Sequence, residues 1–164
     1  MFAPKNILVP TDLSAQAEGA MCYAVDVALE NQATVHVVHV PELILFPDWE
    51  YLNIPEHENP EYYLSHTGFE LKRLAKELEN KGLSVITQAL PSTSAAESIA
   101  SYAEENDIDM IFIATNGLSD FERFLLGITT ERLLLLTQCP VFVIHKTEMP
   151  KEHKAHFAEE AHAF

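Results

Sequence analysis

The sequence predicts an α/β fold: a five-stranded open parallel sheet with helices on both faces. Three observations carry that prediction. Short runs rich in Val and Ile alternate with stretches whose apolar residues recur every three or four positions. The runs are apolar on both faces, as strands covered from two sides require. Proline or glycine marks most of the changes from one pattern to the next. The chain has 164 residues and is 48% hydrophobic, which suits one domain with one core.

Ile7-Leu8-Val9 reads as the first strand, stopped by Pro10-Thr11-Asp12. From Ser14 to about Glu30 the pattern is helical, with Ala17, Ala20, Met21, Ala24 and Ala28 inward and Glu18, Asp26 and Glu30 elsewhere. Val35, Val37, Val38 and Val40 make a second strand that ends at Pro41. His36 and His39 lie three apart on it, so they face opposite sides, cannot share a metal ion and read as satisfied sheet histidines. Residues 41–61 hold Pro41, Pro47, Pro55 and Pro60 with Phe46, Trp49 and Tyr51. This composition predicts a long connection, serving as a lid, an interface arm or an aromatic-packed surface loop.

A second helix is expected from Tyr62, with Leu64, Leu71, Leu74 and Leu78 on one stripe, Glu77 spaced for Lys81, and Gly82 as the stop. Leu83 to Ala89 is the third strand. Ser94 and Glu97 have capping-box spacing for a third helix that turns Ile99 and Ala103 inward and ends near Asn106. Met110 to Ala114 is a buried fourth strand; a loop with Gly117 leads to Gly127 and a helix containing Leu133 to Leu136, and Val141 to Ile144 follows Pro140 as the fifth strand. The expected domain covers 1–146, and 147–164 reads as a polar tail. His153 and His156 have helical spacing there, but solvated tail residues are the better reading.

Charge and cysteines narrow the function. Asp and Glu number 25 against 10 Lys and Arg, a formal charge of -15 that repels phosphate backbones, so neither nucleic acid nor an anionic membrane is expected as a partner. Cys22 and Cys139 form no CxxC and no zinc spacing, and read as buried free thiols. The opening residues carry no secretory signal pattern and no run approaches the ~18 apolar residues of a membrane span, so a cytoplasmic protein is expected.

In an open parallel sheet, ligands sit beyond the carboxyl ends of the strands where the winding reverses. The segments to inspect are therefore Pro10-Thr11-Asp12 and Ala114-Thr115-Asn116-Gly117. Asp12 can accept hydrogen bonds from helix amides or from a ligand's amino and hydroxyl groups. Gly117 and Gly127 allow close backbone approach, and a helix amino end carrying Thr129 and Thr130 suits phosphate oxygens. No G-x-x-x-x-G-K-[ST], G-x-G-x-x-G or G-x-S-x-G occurs, so P-loop hydrolysis, dinucleotide redox chemistry and hydrolase-type nucleophilic catalysis lack their parts. A response-regulator phosphoacceptor would need an acidic cluster where Asp12 stands alone.

These residues resemble the universal stress protein family over 5 to 146. Ile7-Leu8-Val9-Pro10-Thr11-Asp12-Leu13-Ser14 is close to that family's first strand and turn, and Val37-Val38-His39-Val40 to its second strand. The nucleotide-binding members' G-x2-G-x9-G-[ST] keeps its spacing here as Ala114, Gly117, Gly127 and Ile128, with alanine for the first glycine and isoleucine for the hydroxyl residue. The family's short Gly-x-Pro turn before helix three is also missing near Ser94.

The resemblance implies a Rossmann-like, adenine nucleotide alpha hydrolase-like sheet that binds an adenine nucleotide, ATP with a magnesium ion, as a regulatory ligand. By the same carry-over Pro10, Thr11, Asp12 and Val40 line the adenine and ribose. Ala114, Asn116 and Gly117 lie beneath the sugar and first phosphates; Gly127, Ile128 and Thr129 offer amides to the outer phosphates, with the Thr129 or Thr130 hydroxyl in place of the missing one. One lost hydrogen bond weakens binding by about 0.5 to 1.5 kcal/mol. The resemblance also points to a homodimer through Val141 to Ile144. The alternative is a dimeric scaffold of the same fold with a degenerate site. No catalytic residue and no protein metal ligand is expected, and enzymatic activity is limited at most to weak ATP hydrolysis.

Overall fold

Among the described residues, nine segments alternate as the sequence pattern requires: β1 (Asn6–Pro10), α1 (Glu18–Asn31), β2 (Thr34–His39), α2 (Pro60–Asn80), β3 (Ser84–Ala89), α3 (Ala95–Glu105), β4 (Met110–Thr115), α4 (Ile128–Leu136) and β5 (Val141–His145). They come from a computed structural model that describes residues 3–13, 17–40, 60–90, 92–115 and 128–145. The long connection with Trp49, the Asn116 to Gly127 loop and the tail with His153 and His156 lie outside the described residues.

The strand order is β3-β2-β1-β4-β5 and every pairing is parallel, with Pro10 opposite Val38 and Leu8 opposite Ile111. The period of two along each strand sorts side chains onto two faces, both covered along β1, β2 and β4, whereas β3 is exposed at Ser84, Ile86 and Gln88 and departs from the two-sided burial expected of it. Ile7, Val9, Val35, Val37, Met110 and Phe112 meet α1 and α2 on one face. Leu8, Val38, Ile111 and Ile113 meet α3 and Leu133 of α4 on the other. Each fully buried Val, Leu or Ile contributes about 1.5–3 kcal/mol relative to an exposed one, so these two layers hold the sheet between its helices.

The histidines of β2 divide as their spacing predicts, and both are buried. The His36 Nδ1 lies 3.0 Å from the hydroxyl of Tyr102 on α3. The His39 Nδ1 lies on the opposite face, 2.8 Å from the Thr11 carbonyl. Cys22 is buried within α1, and burial pushes its thiol up to about 11, which keeps it protonated and unreactive. Cys139 is only half-buried, with its sulfur 3.2 Å from the Thr137 hydroxyl.

Several local expectations are corrected. α2 begins at Pro60, two residues before Tyr62, because proline's fixed φ and missing N–H suit the first helical position. Ser94 is the N-cap of α3 by backbone conformation, yet its side chain makes no cap bond; the Ser92 hydroxyl takes the Ser94 N–H instead, at 3.1 Å. The Glu97 carboxylate reaches across to Arg132 of α4 at 2.9 Å. Apart from the Lys81 spacing, Glu77 accepts from Arg73 one turn back, at 2.6 Å, a pairing the sequence reading does not include, and Arg73 also holds Glu70. The N-cap position of α1 is Ala17, five residues after Asp12. Gly82, at φ 89°, ends the α2 region in the left-handed conformation that glycine adopts without strain.

Candidate functional site

The strand order fixes where a crevice opens. From β1 the chain winds outward to β2 and β3, then crosses back to place β4 on the other side of β1, so the winding reverses between β1 and β4. The loops leaving their carboxyl ends diverge there. Since β5 runs parallel to β4, α4 must descend the sheet, which sets its amino end at this same carboxyl edge. The Pro10 to Asp12 turn and the first residues of α4 therefore share one end of the molecule.

The turn after β1 is tightly held. The Thr11 N–H donates to the Val38 carbonyl at 2.8 Å, continuing the ladder one residue past the strand. The Thr11 hydroxyl oxygen accepts the Leu13 N–H at 3.0 Å, a local side-chain turn that leaves the hydroxyl's own proton to be donated outward. Leu13 sits at φ 63°, a left-handed conformation that costs a branched residue about 1–2 kcal/mol. Pro10 is buried, Val40 is half-buried against the α3 face, and Asp12 is exposed. This segment thus presents a carboxylate and a hydroxyl on a backbone whose position is fixed from β2.

On the β4 side, Ala114 is half-buried and packs against the α1 face, so the methyl that replaces the family's glycine hydrogen is used in apolar packing. Thr115 is buried beside it. At the head of α4, Ile128 is 79% exposed, Thr129 is half-buried, and Thr130 is buried on the same face as Leu133. The first-turn amides of a helix have no intrahelical acceptors and carry a partial positive charge, the requirement for holding an anion. Glu131 in that turn works against it. Asn116, Gly117 and Gly127 lie outside the described residues. The structure thus brings Pro10, Thr11, Asp12, Val40, Ala114, Ile128, Thr129 and Thr130 to the carboxyl edge, with Thr129 the more open of the two threonines.

Sequence reasoning missed two features. His39 was legible only as a sheet histidine, since its Thr11 partner is 28 residues away. A shallow groove of about 640 Å³ also lies away from the crevice, between the end of β3 and α3, where Gln88, Ser98, Ser101, Tyr102 and Glu105 line it. No period in the sequence marks it, because its walls belong to different elements. Among the described residues, no three His, Cys, Asp or Glu side chains gather to hold a metal ion, and no helix is long and apolar enough to cross a membrane.

Comparison with known proteins matches residues 4–145 to the sequence profile of the Universal stress protein family. A relative, universal stress protein MJ0531 of Methanocaldococcus jannaschii, is 32% identical over 146 residues, covering 87% of this chain and 82% of its own. The solved structure of hypothetical protein MJ0577 superposes with a TM-score of 0.75 at 26% identity, over 88% of this chain and 97% of that one. Two more distant structures share the fold. A universal stress protein in complex with cAMP has a TM-score of 0.63 at 16% identity, over 88% and 99% of the two chains. One from Archaeoglobus fulgidus in complex with dAMP has a TM-score of 0.60 at 19% identity, over 87% and 99%.

Proposed function

Since the chain belongs to the universal stress protein family, we propose that it binds an adenine nucleotide, ATP with magnesium, in the crevice between β1 and β4 as a regulatory ligand in a cytoplasmic stress response. The observation that carries this reading is the meeting, at the point where the strand order reverses, of an anchored Thr11-Asp12 turn with the amino end of α4. The adenosine monophosphate-type ligands in two relatives of the same fold support it.

In this reading Pro10 and Val40 give the base an apolar floor, while the Asp12 carboxylate and the Thr11 hydroxyl proton meet its amino group and the ribose hydroxyls. Ala114, Asn116 and Gly117 underlie the sugar and first phosphates. The amides of Gly127, Ile128 and Thr129 take the outer phosphates, helped by the Thr129 or Thr130 hydroxyl. Magnesium is held by the phosphates and neutralises charge that a chain of formal charge -15 otherwise repels. No side chain here is assigned a chemical step.

The reading includes a homodimer. Among the described residues β5 pairs only with β4 and is an edge of the sheet; Phe142, stacked on Phe112 at 5.0 Å, is still 45% exposed, and Leu135 of the adjoining α4 is 86% exposed. A second copy pairing along Val141 to Ile144 protects an edge that otherwise invites aggregation. The same apolar edge, with Ile128 standing where a hydroxyl is needed, favours the second reading, a dimeric scaffold whose nucleotide site has degenerated.

Mass spectrometry of the small molecules released on denaturing the purified protein separates the two. The first reading expects an adenine nucleotide in near-stoichiometric amount. A preparation that carries none, and takes up none from millimolar ATP, selects the scaffold.

A further inference from the structure

His39, the last residue of β2, lies at the end of the sheet where the nucleoside is proposed to sit, and it is only 4% exposed. Its Nδ1 is 2.8 Å from the Thr11 carbonyl oxygen. A carbonyl can only accept, so this nitrogen carries the proton and the tautomer is fixed. The backbone carbonyl of His39 meanwhile accepts the Leu90 N–H at 2.8 Å, so this one residue ties the chain leaving β1 and the chain leaving β3 to the end of β2.

The consequence falls on Asp12. The Thr11 N–H is held by Val38 and the Thr11 carbonyl by the imidazole, so the peptide units on both sides of Thr11 are anchored to β2. No cis peptide is found among the described residues, and in a trans peptide the carbonyl and the N–H point in opposite directions. With the Thr11 carbonyl turned to the imidazole, the Asp12 N–H is turned the other way and the Asp12 Cα is set in place. Leu13 at φ 63° gives the turn a lower-energy conformation to relax into once that anchor is lost.

We infer that His39 is the positioning residue of the nucleoside end: its imidazole N–H fixes the Thr11-Asp12 peptide in the orientation the base and ribose require, without touching the ligand. This rests on the nucleotide reading above. It differs from a purely structural role in one respect. A structural histidine matters to stability alone, whereas a positioning one sets affinity in protein that remains folded.

Two variants test it. In His39→Asn the amide nitrogen stands as many bonds from the backbone as Nδ1 and still donates; His39→Leu keeps the bulk and removes the donor. Titrations with AMP and with ATP, on samples that circular dichroism finds folded, should give about tenfold weaker binding for His39→Leu, by the same factor for both ligands, and His39→Asn within about threefold of wild type. Nitrogen-15 spectra of the wild type should place the imidazole proton on Nδ1. The inference falls, with the nucleotide reading intact, if wild type binds but folded His39→Leu binds equally well. It falls likewise if the loss grows with phosphate number, if His39→Asn fails to restore affinity, or if the proton is on Nε2. Should wild type bind neither nucleotide, the reading and the inference fail together.

Discussion

The two ends of the sheet each carry an aspartate beside β1, and the two are used differently. At the amino end, Asp109 just before β4 accepts the backbone N–H groups of Lys5 and Asn6 at 2.6 and 2.9 Å, and its own N–H returns to the Asn6 carbonyl at 2.9 Å. The Asn6 amide adds a bond to the Asp107 carbonyl at 3.2 Å. This carboxylate closes the start of two adjacent strands. At the carboxyl end, Asp12 is exposed on a turn whose backbone is held from β2 by Val38 and His39. At one end a carboxylate holds the backbone; at the other, backbone held from β2 carries an exposed aspartate. A residue type beside a strand is therefore an incomplete guide to role, and the direction of the surrounding backbone bonds supplies the rest.

The largest expected effect lies at the amino end. Asp109→Ala removes two charge-assisted bonds to partly exposed amides and should lower stability by about 2 kcal/mol, a fall in Tm of roughly 4–8 °C for a chain of this length. Nucleotide affinity should stay unchanged. Thermal melts and titrations on the same samples check both, and a loss of affinity as large as that of an Asp12 variant would erase the distinction between the ends.

A smaller effect is expected at the phosphate side of the carboxyl end. The Ile128 side chain is largely in solvent, so Ile128→Ser disturbs little packing and adds a hydroxyl at the head of α4. ATP should bind more tightly, by about tenfold at most, with AMP gaining less. Equal gains for AMP and ATP would move the outer phosphates away from α4.

The smallest effect belongs to the middle of β2. Burial lowers the pKa of His36 below the ordinary histidine value of about 6.5, so the folded chain releases this proton more readily than the unfolded one. Its contribution to stability is complete above the unfolded pKa near 6.5 and is lost as the pH falls through the lower, folded value, with a slope of at most about 1.4 kcal/mol per pH unit. Tyr102, its hydrogen-bonding partner, is raised by the same burial and stays neutral throughout. Urea unfolding of wild type and His36→Gln at neutral and mildly acidic pH should give a shallower pH dependence in the variant; identical profiles would assign the acid sensitivity to other groups.

The order of elements was legible because it follows from period and punctuation: two-sided apolar strands, stripes at Leu71 and Leu78, and stops at Pro10 and Gly82. The position of the crevice was legible for the same reason, since winding constrains where the ligand end of a parallel sheet lies. Side-chain partners were not. Glu77 pairs with Arg73, and Glu97 leaves its capping position for Arg132, 35 residues on. Spacing gives which groups can meet along one helix, while packing decides which do. The His39 to Thr11 bond is the same lesson at the candidate site: strand parity assigns the histidine to a face, but only the register between β1 and β2 brings it to that carbonyl.

The most direct test of the nucleotide crevice is titration calorimetry of wild type and Asp12→Ala with ATP, AMP and GTP, with and without magnesium. The account predicts that wild type binds ATP and AMP in preference to GTP. Asp12→Ala should weaken ATP and AMP alike by about tenfold, as the loss of one charge-assisted contact at the nucleoside end requires. No heat and no competition at millimolar ATP, for wild type and for Ile128→Ser, would contradict it and leave the chain a scaffold.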